Sequence, residues 1–428
     1  MLLQYSCSNY RSIKDNVRFS MMKAAGEASQ NRVMKFRNME VESVSAIYGA
    51  NGSGKTNFLL SLETMKFLVE NSIKFQPGQK IKVPVHKLSD PEDASEFSIQ
   101  FTVGRIRYAY GFSVIEGLVD EEYLYHFLNG RQAKIFERRG MKIIAGNRYR
   151  HSFGVSLEVL KENRLFLSCA ANYSRVPEVS EAYMFFSEEL VSYRVNVDEP
   201  PTNNWYGYSV SLMHENPEIK NQLLNVLNLF GTGIKDVRSE RRIYSAEEIS
   251  QTLPEQLREL ILTPEIRKNG IVDLKAKVVY PEFETDLVTE EGTGIQKLFQ
   301  MICPLLNILD KGKVIFCDEL ETGLHEAVVQ QLIELFYTLK PDSEAQLIFT
   351  THDTGLLNSR LFRRGQIWFT ELKPGRSTDL YSLAEIKNVR KSENLERGYM
   401  QGKYGAIPML NTELLDILKK SQQEADSE

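Results

Sequence analysis

Ile47-Tyr48-Gly49-Ala50-Asn51-Gly52-Ser53-Gly54-Lys55-Thr56 satisfies the pattern G-x-x-x-x-G-K-[ST]. Val44, Ala46 and Ile47 predict a strand entering it, and Asn57-Phe58-Leu59-Leu60-Ser61-Leu62 predicts a helix leaving it. That context is what a phosphate-binding loop needs. Its glycines let successive backbone N–H groups curl around a β-phosphate, its lysine reaches the β/γ oxygens, and its hydroxyl faces a magnesium ion. The stretch Gly49 to Asn57 is therefore the expected cradle for ATP, with Lys55 on the phosphates and Thr56 on Mg²⁺. A Gly/Ser turn can match the pattern by accident, so the reading needs a second half of the site.

That half lies far down the chain. Lys313-Val314-Ile315-Phe316-Cys317-Asp318-Glu319 is a hydrophobic strand ending in two adjacent carboxylates, the form of a Walker B element. Asp318 is the expected second Mg²⁺ ligand, and Glu319 the group that polarises the attacking water. Alone, the stretch is equally a buried strand with an acidic turn; paired with the phosphate loop, the nucleotide reading is the better one. The next predicted strand ends in Thr350-Thr351-His352-Asp353. Ligand sites of parallel sheets lie at the carboxyl edge, which is where this puts His352 as a γ-phosphate sensor.

The rest of the composition is permissive. The chain has 428 residues, 42% hydrophobic and 25% charged, which is ordinary for a globular protein with one large inserted domain or two. A net charge of -5 gives no global basic signature for coating nucleic acid. Cys7, Cys169, Cys303 and Cys317 show no C-x-x-C spacing, so they are expected to be core thiols of a reduced compartment. No signal-peptide pattern and no run of about eighteen apolar residues occurs, so the expectation is a cytoplasmic protein without a membrane.

Residues 1–60 predict strand, turn, strand and helix, with Asn9 to Ile13 as the second strand and a polar loop over Met21 to Asn38. Residues 95–135 alternate apolar and polar with Gly104 and Gly117 as turns, the signature of an antiparallel meander. Leu157 to Val191 is helical in pattern until the Pro200-Pro201-Thr202-Asn203-Asn204 run, and 215–265 predicts a charged helical insertion containing Arg238 and Glu240-Arg241-Arg242. Val314 to Cys317, Val328 to Leu339, Gln346 to Thr350 and Gln366 to Phe369 return to an α/β rhythm, and Ser421 to Glu428 reads as a disordered tail. The expected divisions are 1–150 (P-loop and antiparallel β lobe), 151–270 (helical lobe) and 271–428 (the rest of the ATPase).

These motifs carry a resemblance. Asn9-Tyr10-Arg11-Ser12-Ile13, the Gly49 to Asn57 loop, Asp318-Glu319-Leu320-Glu321-Thr322-Gly323-Leu324-His325 and Ile348 to Asp353 resemble the AAA/ABC-type ATPases related to SMC and RecF proteins. More narrowly, with Leu361 to Phe369 and Gly402 to Pro408, the chain is similar to AAA family ATPases of bacterial abortive-infection loci, the AbiLi/RloA-like group. The resemblance implies an α/β, ABC-type P-loop NTPase fold with a mixed central sheet, an antiparallel β lobe and a helical insertion. It also implies a composite site, in which the signature motif of one subunit closes on ATP held by another. The matching stretch here is Glu290-Glu291-Gly292-Thr293-Gly294-Ile295-Gln296-Lys297-Leu298-Phe299, with Gly292, Thr293 and Gly294 as the nucleotide-facing residues. Glu290 stands where the family usually has serine, Gly323 replaces a serine, Glu326 a proline and Gly365 an aspartate. A glutamine loop is expected as well, and Gln76, Gln79 and Gln100 offer no clear match to it.

The function implied is an ATP-hydrolysing switch of an antiphage system. It would act as a homodimer or higher oligomer and control a toxic effector from the same operon, a Toprim-like nuclease, with a phage protein or nucleic acid as trigger. The alternative is an SMC/RecF-like DNA-binding ATPase in repair, which needs a basic channel or a long coiled-coil arm. No heptad persists, and the clusters Arg238/Arg241/Arg242, Arg363/Arg364 and Arg390/Lys391 are short. The motor of a membrane transporter is a third reading, with no coupling segment to support it.

Overall fold

The protein is described from a computed structural model covering residues 1–27, 33–194, 204–254, 258, 261–338, 342–357, 360–390 and 393–408. The Pro200 to Asn203 stretch and the C-terminal tail lie outside the described residues. In chain order the strands are β1 (Leu2–Ser8), β2 (Val17–Ser20), β3 (Val33–Phe36), β4 (Met39–Glu42), β5 (Val44–Gly49), β6 (Ser95–Val103), β7 (Ile106–Ile115), β8 (Leu118–Leu128), β9 (Arg131–Arg139) and β10 (Lys142–Ala145). After them come β11 (Leu190–Arg194), β12 (Asp236–Tyr244), β13 (Ile271–Val279), β14 (Glu284–Asp286), β15 (Val314–Asp318), β16 (Gln346–Thr350), β17 (Ile367–Leu372) and β18 (Thr378–Ser382).

The chain divides into two units, the first formed by residues 1–193, 313–320 and 346–428 and the second by 194–312 and 321–345. In the first, the central sheet runs β11-β15-β16-β5-β17-β18. β15, β16, β5 and β17 are parallel, and β18 is antiparallel to β17. The uniformly apolar Val314-Ile315-Phe316-Cys317 and Leu347-Ile348-Phe349 are buried throughout, as strands covered on both faces must be. The antiparallel lobe is a seven-stranded sheet in the order β10-β9-β8-β7-β6-β1-β2, in which β6 to β9 are the expected meander. This is the expected α/β architecture, with a mixed central sheet and an antiparallel lobe.

The helix Lys55–Asn71 is buried along Phe58, Leu59, Ser61, Leu62, Met65, Leu68 and Val69. Tyr5 of the lobe donates to its Ser61 at 2.9 Å and meets Phe58 edge-on, while Phe19 touches both Phe58 and Trp368. The helix is therefore fixed on more than one side, and so is the loop from which it starts.

Three local expectations change. Asn9 to Ile13 is a tight turn: Tyr10 and Ile13 bridge each other, and Asn9 and Arg11 take left-handed φ of 49° and 51°. The Met21 to Asn38 stretch contains β3, because Val33-Met34-Lys35-Phe36 pairs with the strand that begins at Met39. Residues 151–193 pack with the β lobe rather than forming a separate helical body. The buried Glu122 carboxylate accepts from the Phe166 and Leu167 amides at 2.5 and 2.8 Å, and Phe185 stacks on Phe101. Glu122 also faces the fully buried Arg138 at 3.4 Å, a pair whose disruption costs on the order of 3–5 kcal/mol.

In the second unit, the helices Asn204–Glu215, Pro217–Leu229 and Thr293–Lys311 bury Val210, Leu223, Leu227, Phe299 and Ile302 with Val237, Ala276 and Val278 of a three-stranded sheet, β12-β13-β14. Arg238 and Glu240-Arg241-Arg242 lie on β12, not on a helix as expected. Val237 is buried there and Tyr206 accepts from the Ala276 amide at 3.1 Å, so tertiary pairing overrides local preference. The charges are largely compensated: Lys277 lies 2.8 Å from Glu240, and Arg238 pairs with Glu284. All four cysteines are free and buried, and burial pushes the Cys7, Cys169 and Cys303 thiols up to about 12. Among the described residues, no helix is long and apolar enough to cross a membrane.

Candidate functional site

Strand register brings the motifs to one edge. Cys317 is level with Phe349, and Thr350 with Ile47, so β5, β15 and β16 end together at their carboxyl termini. From that edge emerge the phosphate loop, the Asp318-Glu319 pair and Thr351-His352, the ligand-binding position of a parallel sheet.

The loop leaves no room for side chains at two glycines. A Cβ on Gly49 would lie 2.4 Å from Thr370 Oγ1, and one on Gly54, at φ 107°, would lie 2.1 Å from Thr378 Oγ1. Those threonines hold the loop from β17 and β18. Thr370 Oγ1 and Ser53 Oγ are 2.6 Å apart, and Thr378 Oγ1 donates to the Ser53 carbonyl at 2.9 Å. The helix that follows begins without a side-chain cap and without an acidic residue in its first turn. Its leading amides and dipole are thus available to an anion.

Lys55 is 6% exposed and donates to the Gly49 and Ala50 carbonyls at 2.7 and 3.2 Å. Its Nζ lies 3.5 Å from His352 Nδ1, and His352 Nε2 lies 3.7 Å from Glu319 Oε1. Lysine, histidine and the second carboxylate are therefore one continuous group, with His352 and Glu319 partly exposed. Asn57, expected to face nucleotide, donates instead to Ser12 Oγ at 2.8 Å, and Ser12 Oγ lies 2.8 Å from Thr378 Oγ1. This places Asn57 among the groups that brace the loop.

Sequence reasoning missed Thr350, Thr370 and Thr378. Thr350 is fully buried; its Oγ1 donates to Asp318 Oδ1 at 2.6 Å and accepts from the Glu319 amide at 2.8 Å. Glu319 itself sits at φ 50°, a strained value for a glutamate. The strand-end positions of Thr350 and Thr378 were the available signal, but each threonine's partner lies far away in sequence.

The donor set suits magnesium. Thr56 offers a hydroxyl and Asp318 a carboxylate, both hard oxygens, and a P-loop magnesium takes its other ligands from phosphates and water. Among the described residues, no group of three or more His, Cys, Asp or Glu side chains could form a metal cage, and such a site needs none.

The signature stretch lies in the second unit. Gly292 caps the helix Thr293–Lys311, again without a side-chain cap or an acidic first turn. Glu290, the departure from the usual serine, turns back: its carboxylate accepts from the Asp286 amide at 2.6 Å. Lys297 donates to the Thr322 carbonyl at 2.7 Å, and a Cβ on Gly294 would lie 3.0 Å from the Gly323 carbonyl. Gln76 and Gln79 close a turn together, and Gln100 lies on β6.

Both halves of this site fall within a family match. Residues 44–149 and 261–358 match the model of the family described as "AAA domain, putative AbiEii toxin, Type IV TA system". The chain resembles AAA-type ATPases. Among solved structures, it is similar to an SMC head domain from Thermotoga maritima at 12% identity and a TM-score of 0.40, covering 89% of this chain and 98% of that one. An SMC head bound to the C-winged helix domain of ScpA matches at 14% identity and a TM-score of 0.38, covering 90% and 98%. An SMC head with an extended coiled coil, bound to the C-terminal domain of ScpA derived from Pyrococcus furiosus, matches at 13% and 0.40, covering 89% and 96%. A comparison with curated proteins finds no match.

Proposed function

We propose that the protein is an ATP-hydrolysing switch in a bacterial antiphage system of the abortive-infection kind. The observation that carries the ATPase is the Lys55–His352–Glu319 group at the sheet edge, beside an uncapped helix start. ATP would lie on Gly49 to Thr56, with Mg²⁺ held by Thr56 and Asp318. When bound, such an ion would supply charge neutralisation on the phosphates. Lys55 and the loop amides stabilise the charge that develops on the transferred phosphoryl. Glu319 orients and polarises water, and His352, between Lys55 and Glu319, reports the γ-phosphate.

The second uncapped helix, at Gly292-Thr293-Gly294, supports a composite site in which one copy's signature closes on nucleotide held by another. Thr293 supplies the hydroxyl there, since the Glu290 carboxylate is turned back onto the Asp286 amide. The assembly is thus a homodimer or a multiple of one, working in the cytoplasm. The antiphage role rests on the abortive-infection resemblance and on the toxin–antitoxin description of the matched family. A nuclease-like effector of the Toprim type, encoded beside the gene, is the partner such a switch would hold.

The test has two arms. Phosphate release by wild type and by Glu319→Gln measures the enzyme: the first should turn over ATP and the second should bind but not cleave it. Co-expression with the neighbouring gene, under phage challenge, measures the role. A wild-type protein that binds no ATP removes the first claim, and protection that is unchanged in Lys55→Ala removes the second.

A further inference from the structure

A cavity of about 580 Å³ opens on the β lobe where β8, β9 and β10 meet the turn Asn147–Tyr149. It exists because the chain crosses close over β9 at Gly146. The Gly146 amide donates to the Ile135 carbonyl at 2.9 Å, and a Cβ there would stand 1.9 Å from the Lys134 carbonyl. Only glycine permits that crossing, and the Tyr149 amide closes the turn on the Gly146 carbonyl at 2.8 Å.

The floor holds two buried polar side chains. His126 is 2% exposed and Tyr149 4%, with ring centroids 6.1 Å apart; His126 Nδ1 has no hydrogen-bond partner among the described residues, whereas the Tyr149 hydroxyl faces the Glu178 carboxylate. A buried orphan lining a cavity calls for a ligand or water that satisfies it. Burial lowers the His126 pKa, with Arg148 acting the same way against Glu178 and Glu181, which favours the neutral imidazole. Burial and the Glu178 carboxylate raise the Tyr149 pKa, which keeps its hydroxyl a donor.

The rim is cationic and the walls are aliphatic. Arg148 is 71% exposed and only loosely paired, at 3.4 Å from Glu178. Arg150 donates to Asn147 Oδ1 at 2.7 Å and has no ion pair among the described residues. Leu128 and Ile144 line the same space, 42% and 47% exposed. Cations at the mouth, donors on the floor and exposed apolar walls suit an anion that carries an apolar body.

We propose that this cavity binds a small phosphate ester of mononucleotide size, at a site separate from the phosphate loop. Arg148 and Arg150 take the phosphate, His126 and Tyr149 hydrogen-bond the polar edge of the ring, and Leu128 and Ile144 cover its faces.

The probe is AMP, compared with inorganic phosphate, in equilibrium dialysis against the full chain carrying Lys55→Ala to silence the phosphate loop. The expected result is saturable AMP binding at one site per chain, about tenfold tighter than phosphate. Arg150→Ala, at an exposed position that leaves the fold intact, and separately Tyr149→Phe should each weaken it about tenfold. Absence of saturable AMP binding, AMP no tighter than phosphate, or affinity unmoved by Arg150→Ala would each overturn the assignment. Because the loop is silenced, these outcomes are independent of whether Gly49 to Thr56 binds ATP.

Discussion

Thr350 Oγ1 donates to Asp318 Oδ1 at 2.6 Å, and the same oxygen accepts from the adjacent Glu319 amide at 2.8 Å. One buried hydroxyl thus orients the expected metal ligand and holds the backbone of Glu319, the proposed catalytic residue, at φ 50°. Thr350→Val keeps the shape and deletes both bonds. A hydrogen bond to a charged group is worth roughly 1.5–3 kcal/mol, so kcat should fall about 10- to 100-fold and the Mg²⁺ requirement should rise. Thr350→Ser should restore most of both. A valine variant with unchanged Mg²⁺ dependence would show that Thr350 only packs.

Lys55→Ala and Glu319→Gln should separate binding from chemistry. The first should lose ATP affinity in a fluorescent-nucleotide titration. The second should bind as wild type and lose turnover by about 10²–10⁴-fold, the range for removing a general base. Equal loss of affinity in both would contradict the roles.

The loop's dependence on its threonine braces can be tested by crowding it. Gly54→Ala drives a methyl into Thr378 Oγ1 and forces a left-handed φ of 107°, so it should abolish nucleotide binding and lower the melting temperature. Adding Thr378→Ala removes the two nearest atoms but leaves Thr378 Cβ at 2.9 Å and the backbone strain in place, so the double variant should recover only part of the melting temperature.

How much of this the sequence showed depended on distance along the chain. The loop, β15 with its carboxylates, and the Thr-Thr-His-Asp stretch are contiguous and carry strand and turn signals of their own. Thr370 and Thr378 meet Ser53 across more than three hundred residues, and no local pattern marks them. Asn9 to Ile13 reads as a second strand, whereas left-handed Asn9 and Arg11 turn the chain back there. Arg238 to Arg242 read as an exposed helix because its charges hide the one buried position, Val237, that seats β12.

His126 gives a pH test. Burial first, and then Arg148, depress its pKa below 6.5 in the folded chain, while the unfolded chain binds a proton near that value. Neutral His126 therefore contributes stability that is fully present above pH 6.5 and is lost as pH falls through the lower folded value. In chemical denaturation, the stability difference between wild type and His126→Gln should shift against wild type on acidification from about pH 7.5 to 5.5. A difference constant over that range would place His126 in solvent contact.

The central claim is that nucleotide closes two copies of this chain on one another. The direct measurement is the solution mass of Glu319→Gln by light scattering, with and without ATP and Mg²⁺. The expected result is a smaller unit without nucleotide and an ATP-dependent doubling, or a multiple of it, that Gly292→Asp at the signature helix prevents. A mass that stays the same while ATP is demonstrably bound would contradict the composite site.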